Sequence, residues 1–278
     1  MELDAMNFLA GFVISGAVAF VIERRNVLTL GGTVGALALG TSVYGLGGPA
    51  WLGVVLAFFL SSSALSNLFP SRKEEANREI YEKAGARDFW QVVANGGLSS
   101  LLAAAYFIQP QPVFFLAFLG VLAAVNADTW ATEIGMLSNA PPRLLTNMRR
   151  VDMGRSGGIT LLGTIASVGG ALFIAIIGVA LSLLLQPSLA ASIPARKVAL
   201  IITLGGFLGA MFDSLLGATV QAQFYCHSCR KGTEQRTHRC GTKTIRSSGL
   251  DFVDNDVVNM LSSVFGGVAA AVLFLYLP

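Results

Sequence analysis

The chain has 278 residues, of which 54% are hydrophobic and only 13% charged, and its mean hydropathy is +0.65. A soluble domain carries about 25% charged residues, so this composition excludes an ordinary soluble enzyme and points to a polytopic membrane protein. The formal net charge of +3 says little by itself; the positions of the charges say more.

Apolar runs predict eight spans, over residues 7–22, 28–46, 50–68, 92–108, 113–136, 160–185, 198–221 and 257–277. A span needs roughly 20 residues, with about 17–25 usual, so the first and fourth are short. Helices are required because lipid offers no hydrogen-bond partner to the backbone. The expected fold is therefore all-α, a single transmembrane domain over 1–278 with loops at 69–91, 137–159 and 222–253. The first span does not read as a cleavable signal: Glu2 and Asp4 precede it, and Glu23-Arg24-Arg25 follows.

Orientation follows from the cations. Every Lys and Arg except Arg196 and Lys197 falls in the alternate loops that eight spans place on one side. The positive-inside rule makes that side cytoplasmic and both termini non-cytoplasmic. The opposite loops are short and nearly uncharged. Residues 71–91 read as a soluble helix with i,i+3 and i,i+4 charge pairs. At its end Arg87, Gln91 and Asn95 share one helix face and carry polar groups into the membrane.

Carboxylates interrupt three of the apolar runs, and ionisable groups at membrane depth usually mark substrate or ion sites. Asp128 and Glu133 lie in Asn126-Ala127-Asp128-Thr129-Trp130-Ala131-Thr132-Glu133, with Asp128 and Thr132 on one face and Glu133 paired by spacing with Thr129. Asp213 is followed by Ser214, with Gln221 two turns on. Asp254, Asn255 and Asn259 open the last span. Hard oxygen donors from several helices suit Mg²⁺, with Asp128, Asp213 and Asp254 as ligands; for Asp254 or Asn255 a helix cap is the plain alternative.

Arg149, Arg155, Ser156, Gly157, Gly158 and Thr160 stand just before the sixth span. Glycines let backbone N–H groups approach an anion at a helix N-terminus, and arginines grip phosphate bidentately. The plain alternative is a turn with positive-inside arginines. No GxxxxGK[ST] or GxGxxG sequence occurs. All three cysteines lie in one basic loop, Cys226-His227-Ser228-Cys229 and His238-Arg239-Cys240. In a reducing compartment Cys226, Cys229, His238 and Cys240 form a candidate structural Zn²⁺ site, set against a loop of free thiols.

Residues 126–135, Pro142-Arg143-Leu144-Leu145-Thr146, Gly157-Gly158-Ile159-Thr160, 213–221 and 254–259, with Arg87, Gln91, Asn95 and Gly96, resemble the transmembrane protein 19 family. That family, catalogued as membrane domain-of-unknown-function family 92, includes the plant phytyl-phosphate kinase. The resemblance covers most of the chain in the family's order; residues 66–75 match poorly, and the cysteine loop resembles prokaryotic members. It implies a kinase that converts a phytyl, farnesyl or geranylgeranyl type of monophosphate to the diphosphate with a nucleoside triphosphate, CTP by a distant likeness to phytol and dolichol kinases. Asp128, Glu133, Asp213 and Asp254 are the expected catalytic residues. The expected phosphate and substrate contacts are Arg87, Gln91, Asn95, Asn126, Thr132, Arg143, Thr146, Arg149, Arg155, Ser156, Gly157, Gly158, Thr160, Ser214, Gln221, Asn255 and Asn259.

The expected partners are the prenyl phosphate, the nucleotide and membrane lipid, and not nucleic acid. The expected place is a prokaryotic cytoplasmic membrane, with the site facing the cytoplasm. Two rivals remain at this point: a CTP-dependent cytidylyltransferase that makes a CDP-lipid, and an ion-coupled transporter. Against transport, the polar residues cluster at span ends rather than the midplane, and no inverted repeat is evident.

Overall fold

The computed structural model describes residues 4–24, 27–68, 86–191 and 193–277. Most of the helix expected at 71–91 and of the divergent segment 66–75 lies outside them. The long helices are α1 (Ala5–Glu23), α2 (Leu30–Gly47), α3 (Pro49–Leu68), α4 (Phe89–Ile108), α5 (Pro112–Gly135), α6 (Leu161–Leu185), α8 (Ala195–Thr219) and α9 (Asn255–Tyr276), with a four-residue helix α7 (Pro187–Ala190) between α6 and α8. Seven of the eight are long and apolar enough to cross a membrane. The other, α2, has 18 residues, but its glycines dilute its hydropathy; it packs along α1 and α4. Large apolar side chains remain exposed on several helices, among them Phe12, Ile108, Leu161, Ile165 and Leu184, as a lipid-facing surface requires.

Caps fix where the helices begin. Asp4, Thr29, Thr160 and Asp254 each accept a hydrogen bond from a first-turn N–H. Asp88 and Gln91 form a reciprocal capping box on α4. These oxygens satisfy donors that would otherwise be orphaned at the membrane boundary.

The central element is α5. Residues Phe115 through Ala127 are all buried, and α5 packs on α3, α4, α6, α8 and α9. At one end Trp51 is fully buried against Tyr106, Phe115 and Phe118. Further along, small residues bring the backbones together. A Cβ placed on Gly209 would lie 2.4 Å from Ala124 Cβ, and one on Gly206 2.6 Å from Ala123 Cβ. In lipid, where no hydrophobic force drives helices together, such close approach is what gives van der Waals contact between them.

The loops are not wholly irregular. Strands β1 (Arg143–Leu144) and β2 (Gly158–Ile159) pair antiparallel, and β3 (Gln223–Cys226) lies between β4 (Lys231–Thr233) and β5 (Ile245–Ser248). Both small sheets sit at the end of the bundle where α5 and α8 finish and α6 and α9 begin.

The packing makes a direct prediction. Gly209→Val forces side-chain bulk into the α5–α8–α9 contact, an overpacking cost of about 1–3 kcal/mol, so melting in detergent should drop by several degrees. Gly16→Ala, whose new Cβ meets only Leu37 Cδ1 at 3.7 Å, should leave it almost unchanged. Equal melting temperatures for the two variants would remove the small-residue contact from the account.

Candidate functional site

A polar cavity of about 560 Å³ opens at the same end, where α3, α5 and α8 finish and α4, α6 and α9 start. Asp128 lies about two turns, or about 10 Å, inside the end of α5, and Asp213 lies at a similar depth in α8. The two carboxylates are close enough to repel one another. Ser262 Oγ on α9 donates to Asp213 Oδ2 at 2.9 Å. Two adjacent acids in a low-dielectric niche are costly unless a cation or a proton lies between them. The pair offers oxygen donors of the kind that a divalent metal takes.

The cavity collects residues from all the polar segments. Arg87, Gln91 and Asn95 line it from α4 and its approach, Thr132 and Glu133 from α5, and Arg155, Ser156, Gly157, Gly158 and Thr160 from the loop before α6. Ser214 and Gln221 line it from the end of α8, and Asn255 and Asn259 from α9. The i,i+4 spacings at 87/91/95, 128/132 and 255/259 thus all project into one space.

Arg87 is held with care. Its N–H donates to Val27 O at 2.9 Å, and its carbonyl accepts from Thr29 N at 3.0 Å. A Cβ on Gly32 would lie 2.2 Å from that carbonyl oxygen, so only glycine admits the strap. The guanidinium donates to Ser62 Oγ at 3.2 Å, stacks over Phe59 at 5.3 Å and feels the Glu133 charge. Glu133 also accepts from Ser66 Oγ at 2.5 Å. Thr129, the partner expected for Glu133 by spacing, instead donates to Val125 O, because a helical threonine reaches its own preceding turn more easily.

The Gly154–Thr160 loop rests on the end of α8. Gly157 has φ +75°, and a Cβ there would lie 2.3 Å from Ala218 N. Strand β2 is tied to β1, with Arg143 opposite Ile159 and Leu144 opposite Gly158.

Five expected residues lie elsewhere than on the cavity wall. Asp254 uses its carboxylate as the N-cap of α9, accepting from Val257 N at 3.0 Å, so the plain capping alternative describes it. Asn126 is fully buried and braces helices, accepting from Ser61 Oγ and donating to Gly170 O. Arg143 donates to Met148 O at 2.8 Å, and Arg143, Thr146 and Arg149 are exposed on the hairpin arm. None of these three lines the cavity.

Among the lining residues that carry no sequence signal, the one acid is Glu234. Glu234, buried at 6% exposure, reaches the cavity from the cysteine loop. Its Oε1 accepts from Ser156 Oγ and from Gln221 Nε2, the latter at 2.9 Å, and Gln223 Nε2 donates to Ser156 Oγ at 3.1 Å. An acid in a polar loop gives no signal; only its own burial and its hydrogen bonds to Ser156 and Gln221 make it stand out.

The same small sheet gathers Cys226, Cys229, His238 and Cys240, whose ligand atoms all lie within 4.8 Å of one another. Cys226 Sγ is 3.6 Å from Cys240 Sγ, and His238 Nδ1 is 3.2 Å from it. Tetrahedral zinc with Zn–S near 2.3 Å places sulfurs about 3.8 Å apart, so the cluster is compatible with zinc. The hydrogen bonds with Thr242 and then His238 hold the Cys240 thiol down at about 6, and the bond with Cys240 pushes Cys229 up to about 11. The buried His238 Nε2 has no hydrogen-bond partner among the described residues.

Comparison with known proteins agrees with this architecture. Protein PGR of Arabidopsis thaliana is 29% identical over 95% of each chain. An uncharacterized membrane protein of Methanocaldococcus jannaschii is 27% identical over 99% of each. Protein VTE6, chloroplastic, of Arabidopsis thaliana is 24% identical over 88% of this chain and 65% of its own length. No solved structure matches the chain. Residues 13–267 match the family described as integral membrane protein DUF92, and the chain, an integral membrane protein with its polar residues gathered at one end of a helix bundle, belongs to that family.

Proposed function

We propose that this protein is a membrane isoprenyl-phosphate kinase, which transfers the terminal phosphoryl group of a nucleoside triphosphate, CTP as the first candidate, to a prenyl monophosphate. The observation that carries the reading is the union, in one cavity, of the Asp128–Asp213 pair with the two arginines Arg87 and Arg155. Kinship with protein VTE6 and the resemblance to the phytyl-phosphate kinase support the same chemistry.

The acceptor is a phosphomonoester whose second pKa is about 6, so its oxygen needs little help from a base. That oxygen bonds to the donor's terminal phosphorus, the bond from this phosphorus to the bridging oxygen breaks, and the nucleoside diphosphate leaves. Catalysis is then positioning and charge neutralisation. Asp128 and Asp213 would hold Mg²⁺, which supplies charge neutralisation on the donor phosphates. Arg155 and the Gly157-Gly158 backbone hold phosphate oxygens at the start of α6. Glu133 fixes Arg87 electrostatically, and Glu234 fixes Ser156. The basic loops set this face toward the cytoplasm of a prokaryotic cell. The Cys226–Cys240 cluster takes a structural Zn²⁺ that holds the sheet bearing Glu234.

The defining experiment incubates purified protein with phytyl, farnesyl and geranylgeranyl monophosphates and each nucleoside triphosphate. Prenyl diphosphate with nucleoside diphosphate is the expected product pair. A CDP-lipid with pyrophosphate, or ion-driven uptake without turnover, would replace the kinase by one of its rivals.

Asp128→Asn and Asp213→Asn should each lower kcat by about 100-fold or more, as loss of a charge-stabilising group does, without lowering the melting temperature. Retention of a tenth or more of wild-type turnover at saturating Mg²⁺ removes that residue from the metal site. Arg155→Lys loses the planar fork and should lower kcat/KM about tenfold, while Arg149→Lys on the outer arm should behave as wild type. Nucleotide concentration, rather than lipid concentration, should restore part of the Arg155→Lys rate.

Elemental analysis should find about one zinc per chain, lost in Cys226→Ser/Cys229→Ser. Turnover should fall in that variant because Ser156 loses Glu234. A metal-free wild-type protein with full activity sinks the zinc assignment.

A further inference from the structure

A second cavity, of about 70 Å³, lies among α1, α2, α3 and α4, with Leu122 of α5 beside it. Its lining is apolar except for Ser15 and three residues: Arg87, Gln91 and Asn95. Those three also line the polar cavity. The two spaces therefore meet at one polar wall, with a charged guanidinium on it and hydrocarbon on the other side.

The depth of this crevice can be read along α2. Arg87 is strapped by backbone hydrogen bonds to residues 27 and 29, just before α2 begins. Ala36 lies about 9 Å and Gly40 about 15 Å further into the bundle, at 1.5 Å per residue. Ala36, Leu39, Gly40 and, across from them, Val55 and Phe59 line the crevice along this path. Burial of an arginine beside such a surface is expensive without anionic partners; the guanidinium feels the Glu133 charge, and a ligand phosphate at the same wall would add a second anion.

An amphipathic ligand with one phosphate and one hydrocarbon chain matches this division. On the kinase reading above, on which the identity of the chain rests, we infer that the crevice between α1, α2 and α3 seats the first units of the isoprenyl tail, with Arg87 holding the acceptor phosphate at its mouth. A longer tail continues into the bilayer. The acceptor thus arrives from the α1–α3 side and the nucleotide from the loops, and their phosphates meet over Asp128 and Asp213. Ala36 is then a specificity-determining position, because a larger side chain there occupies the tail's space without touching the phosphate.

The test uses the full-length protein in lipid nanodiscs and farnesyl monophosphate carrying a photoreactive diazirine on its second isoprene unit. The expected label falls on peptides bearing Ala36, Val55 or Val18. Excess farnesyl monophosphate should suppress it, whereas equal amounts of farnesol or phosphatidic acid should not. Ala36→Phe, or Ala36→Leu should the ring lower the melting temperature, should reduce it about tenfold, the scale of a steric clash in a filled apolar site.

Label confined to lipid-facing positions such as Leu161 or Ile165, no saturable label at all, or label unchanged in the Ala36 variants overturns the crevice assignment. Suppression by phosphatidic acid as strong as by farnesyl monophosphate overturns the isoprenyl identity. Turnover of farnesyl monophosphate is read in parallel. Turnover without crevice label leaves the kinase and removes the crevice; crevice label without turnover leaves the binding site and removes the kinase.

Discussion

The polar cavity is built around two carboxylates, Asp128 and Asp213, that face one space from inside α5 and α8. Two carboxylates about 10 Å inside helix ends would drive α5 and α8 apart if the helices had any slack. They do not, because Ala123, Ala124, Gly206, Gly209 and Gly266 bring the backbones into contact just below the acids. Apolar packing thus holds a site open to cations, and Ser262 contributes a hydroxyl to Asp213 from the third helix of the same contact.

Around that pair the structure separates rigid parts from supported ones. Arg87, Gln91 and Asn95 are carried on a helix whose start is fixed by a capping box and by the strap to residues 27 and 29. Ser156 and the Gly157-Gly158 turn are instead loop residues. They gain their order from the contact with Ala218, from the β1–β2 pair and from Glu234. The cysteine cluster stands behind Glu234 on the same small sheet. The sheet that carries the cysteine cluster is in this way connected to the cavity wall by one carboxylate.

The division of labour suits phosphoryl transfer at an interface. Hydrocarbon and phosphate require different surroundings, and the wall formed by Arg87, Gln91 and Asn95 faces both. A site at the midplane would have to bring a highly charged nucleotide across about 15 Å of hydrocarbon, half the thickness of the bilayer core. On the proposed kinase reading, a nucleotide at the helix ends would stay in water and only the tail would enter the apolar space.

The sequence by itself determined the long helices, because runs of about 20 apolar residues have one stable conformation in lipid. It also determined which helix faces are polar, since i,i+4 spacing places Arg87, Gln91 and Asn95, Asp128 and Thr132, and Asn255 and Asn259 on common stripes whatever the neighbours are. The four-ligand cluster of the cysteine loop was legible too, from residue type alone. Tertiary structure decided the rest. Asp254 looks like Asp213 in sequence but lies at a helix start, where an unpaired N–H claims it. Arg149 and Arg155 look equivalent, yet Arg149 is exposed on the arm after β1 whereas Arg155 lines the cavity. Glu234 carries no local signal, because its place at the cavity is fixed by Ser156, 78 residues earlier, and by Gln221 beyond the end of α8. Spacing fixes direction within one helix; only packing between elements fixes which polar groups share a space.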